Sequence, residues 1–159
     1  MDNEELVRVV FELTVKPDGY PPYSAETLWA RRRGDGFFVL ANVPFFVLGL
    51  SSADIIEVTP TRAGTHEFVR LVEQGGHSTV RLLVRDEADV ARVRENLGAL
   101  GCPTELFGPV HPRLVAVDIP PAAVIADVHA LLRAGAHGGR FEVDEANVPP
   151  SFDLGLPPS

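Results

Sequence analysis

His77, Ser78, Thr79 and Arg81 stand close together in the segment EQGGHSTVRLLV, residues 73–84, behind the glycines Gly75 and Gly76. Imidazole, hydroxyl and guanidinium groups next to a flexible backbone can bind an anion. The glycines let amide hydrogens point outward, and the side chains add further donors. The same residue types also make an ordinary turn whose hydroxyls bond their own backbone, and that is the commoner outcome. His77 beside Ser78 is not a catalytic pair, because neighbours on an extended strand point to opposite faces. Arg81 lies in the body of the strand, opposite the Val80, Leu82 and Val84 face. If covered, its guanidinium needs a carboxylate, and Asp118 on a neighbouring strand is the expected partner. Earlier in the chain, Glu26 and Trp29 flank a strand start, and Asn42 precedes the run VPFF. An indole anchors a ligand or fills a core, and an asparagine at such a place most often caps a turn.

Other chemistries find less support. The histidines at 66, 77, 111, 129 and 137 are scattered, with no HxH or HxxxH pair, and Cys102 is the only cysteine. No metal and no cofactor are therefore expected. Cys102 follows a helix end and precedes Pro103, the setting of a buried, inert thiol. One cysteine permits no internal disulfide, so a reducing cytoplasm is the default expectation. The chain carries 22 acidic residues against 14 basic ones, for a net charge of −8. That balance disfavours a partner recognised through phosphates, so no nucleic acid is expected. No apolar run approaches the roughly 20 residues of a membrane helix, and MDNEEL is too acidic for a signal peptide.

The elements that must position these groups divide near Gly76. Over residues 1–77 short strands alternate with turn signals: LVRVVFELTV, a hairpin ETLWARRRGDGFFVLANV around GDG, then FFVLGL, DIIEVTP and HEFVRLVEQ. Many short strands with no sustained helical spacing indicate a small antiparallel β-barrel or a curled sheet. Arg31, Arg32 and Arg33 at the hairpin tip read as a solvated loop. Over residues 78–148 the order is βαββαβ, a ferredoxin-like half. Its first helix is capped by Asp86 and ended by Gly101. Its second is opened by Pro121 and closed by Gly135, with Val124, Ile125, Val128, Leu131 and Leu132 on one stripe. Each helix has a single apolar stripe, so both should cover one face of the sheet. Residues 149–159, PPSFDLGLPPS, read as a flexible tail. The fold class is thus α+β.

The stretches AETLWARRRGDGFFVLANVPFFVLGLSSADIIEV and EQGGHSTVRLLV resemble an uncharacterised bacterial family, domain of unknown function 4265. The matching residues are Glu26, Leu28, Trp29, Asn42, Pro44, Phe45, Phe46, Gly49, Leu50, Asp54, Gly76, His77, Ser78, Thr79 and Arg81. The resemblance covers roughly residues 24–85 and implies no activity. It leads one to expect a glycine before Asp54, where this chain has Ala53.

Two functional readings follow. The first is a cytoplasmic accessory or regulatory protein that binds a peptide, a protein or a small acidic ligand near the seam between the halves. Its ligand would be held by Glu26, Trp29, Asn42, His77, Ser78 and Arg81. The second is a small metal-free enzyme using His77, Arg81 and a carboxylate, Glu26 or Asp118. A comparison with RNA-recognition sheets fails. Their outer central strands carry stacking aromatics, whereas here those positions are Thr79, Arg81, Leu83, Arg85, Leu114, Ala116 and Asp118.

Overall fold

The computed structural model describes residues 5–155. Among the described residues the chain is mixed α+β and mostly strands, with two α-helices, and it divides into two compact units that part between His77 and Ser78.

The first unit is a closed five-stranded barrel. Its strands are β1 (Leu6–Glu12), β2 (Ala25–Arg32), β3 (Phe38–Leu40), β4 (Ile55–Pro60) and β5 (His66–Glu73). Each neighbouring pair runs antiparallel except the closing one, where β1 and β5 run parallel through Val9–His66 and Val10–Glu67. An up-and-down path of five strands leaves the fifth pointing the same way as the first, so a barrel with this count must close on one parallel seam. The alternation read in LVRVVFE holds: Val7, Val9 and Phe11 face inward. They meet Leu28, Ala30, Phe38, Leu40 and Ile56, and Phe11 stacks on Phe68 with ring centroids 4.8 Å apart. The hairpin around GDG forms, with Gly34 and Gly36 both at positive φ.

The segment FFVLGL is not a strand. Phe45, Phe46, Val47 and Leu50 are buried as the pattern suggests, but they lie in an irregular loop between β3 and β4. Apolarity was read correctly there, while the backbone finds its hydrogen-bond partners elsewhere, as described below.

The second unit holds β6 (Ser78–Val84), a 3₁₀ turn (Glu87–Asp89), α1 (Val90–Ala99), β7 (Thr104–Phe107), β8 (His111–Ile119), α2 (Ile125–His137) and β9 (Phe141–Asn147). Its four-stranded antiparallel sheet has the order β7-β8-β6-β9. Val80, Leu82 and Val84 share one core with Val115, Val117 and Ile119, with Val90, Val93 and Leu97 of α1 and with Val128 and Leu132 of α2. Both helices therefore lie against the same face of the sheet. The carboxylate of Asp86 accepts from the Ala88 amide at 3.0 Å, the expected cap, and Gly101 sits at φ +84 past the helix end.

Two expectations for this unit are corrected. Helix α2 starts at Ile125, not at Pro121: residues 120–123 form a turn and Val124 is extended. Val124 and Ile125 are consequently exposed, and the helix runs through Gly135 to His137. Gly135 does not end the helix. It lets the Phe141 ring pack directly on the helix, since a Cβ there would fall 2.1 Å from that ring. The segment after β9 is not a loose tail as far as it is described, because Phe152 and Leu154 are buried in the core of the unit. Two apolar side chains spaced by one residue were enough to hold it down. Residues 156–159 of that expectation lie outside the described residues.

Candidate functional site

Strand β2 alternates exposed and buried residues, and this period carries Glu26 inward beside Leu28 and Ala30. Its carboxylate accepts three consecutive loop amides: Phe45 at 2.7 Å, Phe46 at 3.0 Å and Val47 at 3.0 Å. A buried loop needs acceptors for its N–H groups, and this one carboxylate supplies them. Leu48, next along the loop, is 66% exposed. Asn42 does the same work on a smaller scale. Its Oδ1 accepts from the Trp29 amide at 2.9 Å, while the Ala41 amide donates to the Trp29 carbonyl at 2.8 Å. Trp29 is thereby pinned through its backbone, with its side chain on the outward face and Arg8 over the indole, 5.2 Å from the ring centroid.

Asp54 is the residue that sequence reasoning set aside. It is buried, accepting from the Ser51 amide at 2.9 Å through Oδ2 and from the Gly75 amide at 2.8 Å through Oδ1. Burial pushes its pKa above the usual value of 3.8, against the pull of those two amides and of the nearby His77. The available signal was Ala53, which stands where the family resemblance leads one to expect glycine. Ala53 adopts φ +73, a left-handed conformation that costs a side-chain-bearing residue about 1–2 kcal/mol. Ala53→Gly should therefore stabilise the protein, by about 0.5–1 kcal/mol once the extra freedom of glycine in the unfolded chain is deducted. A urea melt giving equal or lower stability would contradict this.

The raised pKa of Asp54 also sets a pH dependence. Its carboxyl holds a proton in the native state at pH values where the unfolded chain has released it. Stability from this group therefore falls as pH rises from near 3.8 through the folded pKa. In urea melts across that window, wild type should lose stability relative to Asp54→Asn as pH rises. A gap that stays constant would remove this role.

The remaining candidates are placed as follows. His77 is half-buried and closes the first unit, within electrostatic reach of Asp54. In the second unit Ser78 begins β6, half-buried, in register with Ile119. Arg81 is only 3% exposed, and its guanidinium pairs at 3.1 Å with Asp144, whose own side chain is 61% exposed. Asp144 lies opposite Arg81 on β9, and Asp118, the carboxylate expected from sequence, stands diagonally across from it on β8, in register with Thr79. Strand β6 is central and has two neighbours, and register places an acid directly opposite Arg81 on β9. Cys102 is fully buried, and burial together with the charge of Asp118 pushes its thiol up to about 11. A cleft of about 180 Å³ opens in this unit between α1, α2 and the start of β9, lined by Val93, Leu131 and Phe141 among others. None of the six candidate residues lines it. Among the described residues no group of three or more His, Cys, Asp or Glu is placed to hold a metal ion, and no helix is long and apolar enough to cross a membrane.

Among solved structures, a hypothetical protein from Neisseria gonorrhoeae matches with a TM-score of 0.67 at 19% sequence identity, over 92% of this chain and 96% of that one. At that identity the likeness is one of fold. No curated protein matches this sequence. The family model described as "Domain of unknown function (DUF4265)" matches residues 26–143, and the chain belongs to that family.

Proposed function

We propose that the protein is an accessory or regulatory binding protein for a peptide, a protein or a small acidic ligand, with no chemistry of its own. One observation carries this reading. The carboxylate of Glu26 is already committed to three backbone amides, which leaves little of its acceptor capacity for a substrate proton. Asn42 and Asp54 are turned onto backbone amides in the same way. Polar residues that match the family thus stiffen a scaffold, and recognition falls to what that scaffold displays. We further read the second unit as ferredoxin-like. Its strand order β7-β8-β6-β9, with helices following its first and third strands, supports that assignment. A reducing cytoplasm suits the single buried thiol, and the net charge of −8 argues against nucleic acid as the partner.

The test is a titration of the isotope-labelled full chain with blocked acidic peptides and with succinate, read by amide chemical shifts, with lysine-rich peptides as controls. Saturable shifts with acidic probes are expected. No shift at millimolar concentration from any of them would sink the reading.

A second reading, a small enzyme built on His77, draws support from one feature. The charge of the imidazole acts on the buried carboxyl of Asp54, an arrangement that can orient a histidine base. Here the carboxylate is Asp54, whereas the sequence favoured Glu26 or Asp118 for that role.

A further inference from the structure

We propose that the cleft between α1, α2 and the start of β9 binds a small monocarboxylate whose apolar body is about one six-membered ring. The proposal rests on the binding reading above and narrows its small acidic ligand to one class, held within the second unit.

The cleft has an apolar floor and a polar mouth. Val93, Gly135 and Phe141 line it and are buried, and the half-buried Leu131 adds a further apolar wall. Asn96 and Arg140 line it as well, and both are exposed. The Phe141 ring is seated directly on Gly135, which gives the cleft an aromatic wall that packing holds in place. Size limits the occupant. An apolar cavity of about 150 Å³ takes up a molecule of benzene. At about 180 Å³ this cleft therefore admits one ring with little to spare, and a carboxylate on that ring has to stand at the mouth. An offset stack against the Phe141 ring is the arrangement that aromatic pairs favour.

Charge selects an acid. Arg140 is the one charged residue that lines the cleft, and no acidic residue does. Among the described residues, neither its guanidinium nor the side-chain amide of Asn96 makes a hydrogen bond or ion pair within the protein. The neighbouring acids lie elsewhere. Glu142 follows Phe141, but strand alternation turns it to the other face of the sheet, opposite Leu83. Glu95 is exposed and stands two residues from both Val93 and Leu97, on the solvent side of α1. Asp89 and Asp127 stand a turn beyond Val93 and Leu131 and do not line the cleft. A second guanidinium reinforces the sign: Nη1 of Arg85 lies 3.6 Å from where a Cβ on Gly139 would stand, one residue from Gly138 in the cleft wall. The planar fork of Arg140 can take both oxygens of one carboxylate, and the Asn96 amide offers a further donor. An amine would meet like charge there.

The probe is phenylacetate, read by amide shifts of the isotope-labelled full-length protein. Phenylacetamide keeps the ring and drops the charge, and succinate keeps the charge and drops the ring. Phenylacetate should give saturable shifts at residues 93–97 and 131–141, and the other two should bind at least about threefold more weakly. Arg140→Gln should weaken phenylacetate about threefold to tenfold, the span of an ion pair at the edge of solvent, and leave phenylacetamide unchanged. Arg70→Gln on β5 removes the same charge from the chain and should change nothing. Ala134→Leu puts a good helix former into the cleft wall and should weaken both ring probes at least about tenfold by filling the space. Thermal melts confirm that each variant is folded, and Arg140→Gln, at an exposed position, carries the test if Ala134→Leu unfolds. Phenylacetate binding that neither variant weakens, or whose shifts fall outside those residues, overturns the cleft. If succinate or the acidic peptides bind while phenylacetate does not, the cleft is wrong and the binding reading stands. If no acidic probe binds anywhere, both fall. Phenylacetamide binding as tightly as phenylacetate overturns the choice of an acid.

Discussion

Glu26→Ala is expected to lower the free energy of unfolding by about 3–5 kcal/mol. The substitution leaves the amides of Phe45, Phe46 and Val47 without their acceptor in a loop whose side chains are buried. Each buried N–H left unsatisfied costs about 1–3 kcal/mol, and some of the sum is recovered as the loop relaxes and water enters. Glu26→Gln should cost less, about 1–2 kcal/mol, because one oxygen survives to accept from Phe46 and Val47 while an amide nitrogen opposes the Phe45 N–H. Urea melts should rank wild type above Glu26→Gln and Glu26→Ala last. Hydrogen exchange should show protection of residues 45–47 lost in Glu26→Ala before the barrel amides are affected. A Glu26→Ala protein as stable as wild type would mean that the loop amides have other acceptors, and the case for a rigid display scaffold would go with it.

Much of this architecture was legible because it follows from local periodicity. Val7, Val9 and Phe11 repeat every two residues, and Val90, Val93 and Leu97 repeat at helical spacing. Both patterns lead directly to the buried faces observed. Asp86 and the GDG turn are short-range signals of the same kind. What failed depended on distance. Nothing within FFVLGL reveals that its amides bond to a carboxylate 19 to 21 residues earlier, so its apolar run reads as a strand. Gly135 reads as a helix stop because its real reason, the Phe141 ring, lies on the following strand. Asp144 goes unnoticed as a partner of Arg81, because the sequence alone does not give the register of β6 against β9. The site shows the same limit. Glu26, Asn42 and Asp54 stand out as polar residues in apolar surroundings, but whether such a group faces a ligand or a backbone amide is decided by the fold around it.

Gly75→Ala should cost about 2–4 kcal/mol, which is large for the addition of one methyl group. A Cβ at Gly75 would fall 2.3 Å from the carbonyl oxygen of Ala53 and 2.6 Å from its carbonyl carbon. Those are backbone atoms and cannot swing aside, so the end of β5 must move away from the turn at residues 51–54. That movement also breaks the bond from the Gly75 amide to Asp54, and a buried carboxyl then loses one of its two backbone donors. Gly135→Ala is the informative comparison. There the atoms nearest the new methyl all belong to the Phe141 side chain rather than to backbone, and alanine gains about 1 kcal/mol of helix propensity, so the net loss should be smaller, about 1–2 kcal/mol. Gly75→Ala should also be non-additive with Asp54→Ala. Both damage the same hydrogen bond, so the double variant should be less destabilised than the two single losses added, by about 1 kcal/mol. Strict additivity in urea melts would show that Gly75 and Asp54 act independently, and the buried cluster that orders this end of the barrel would have to be abandoned.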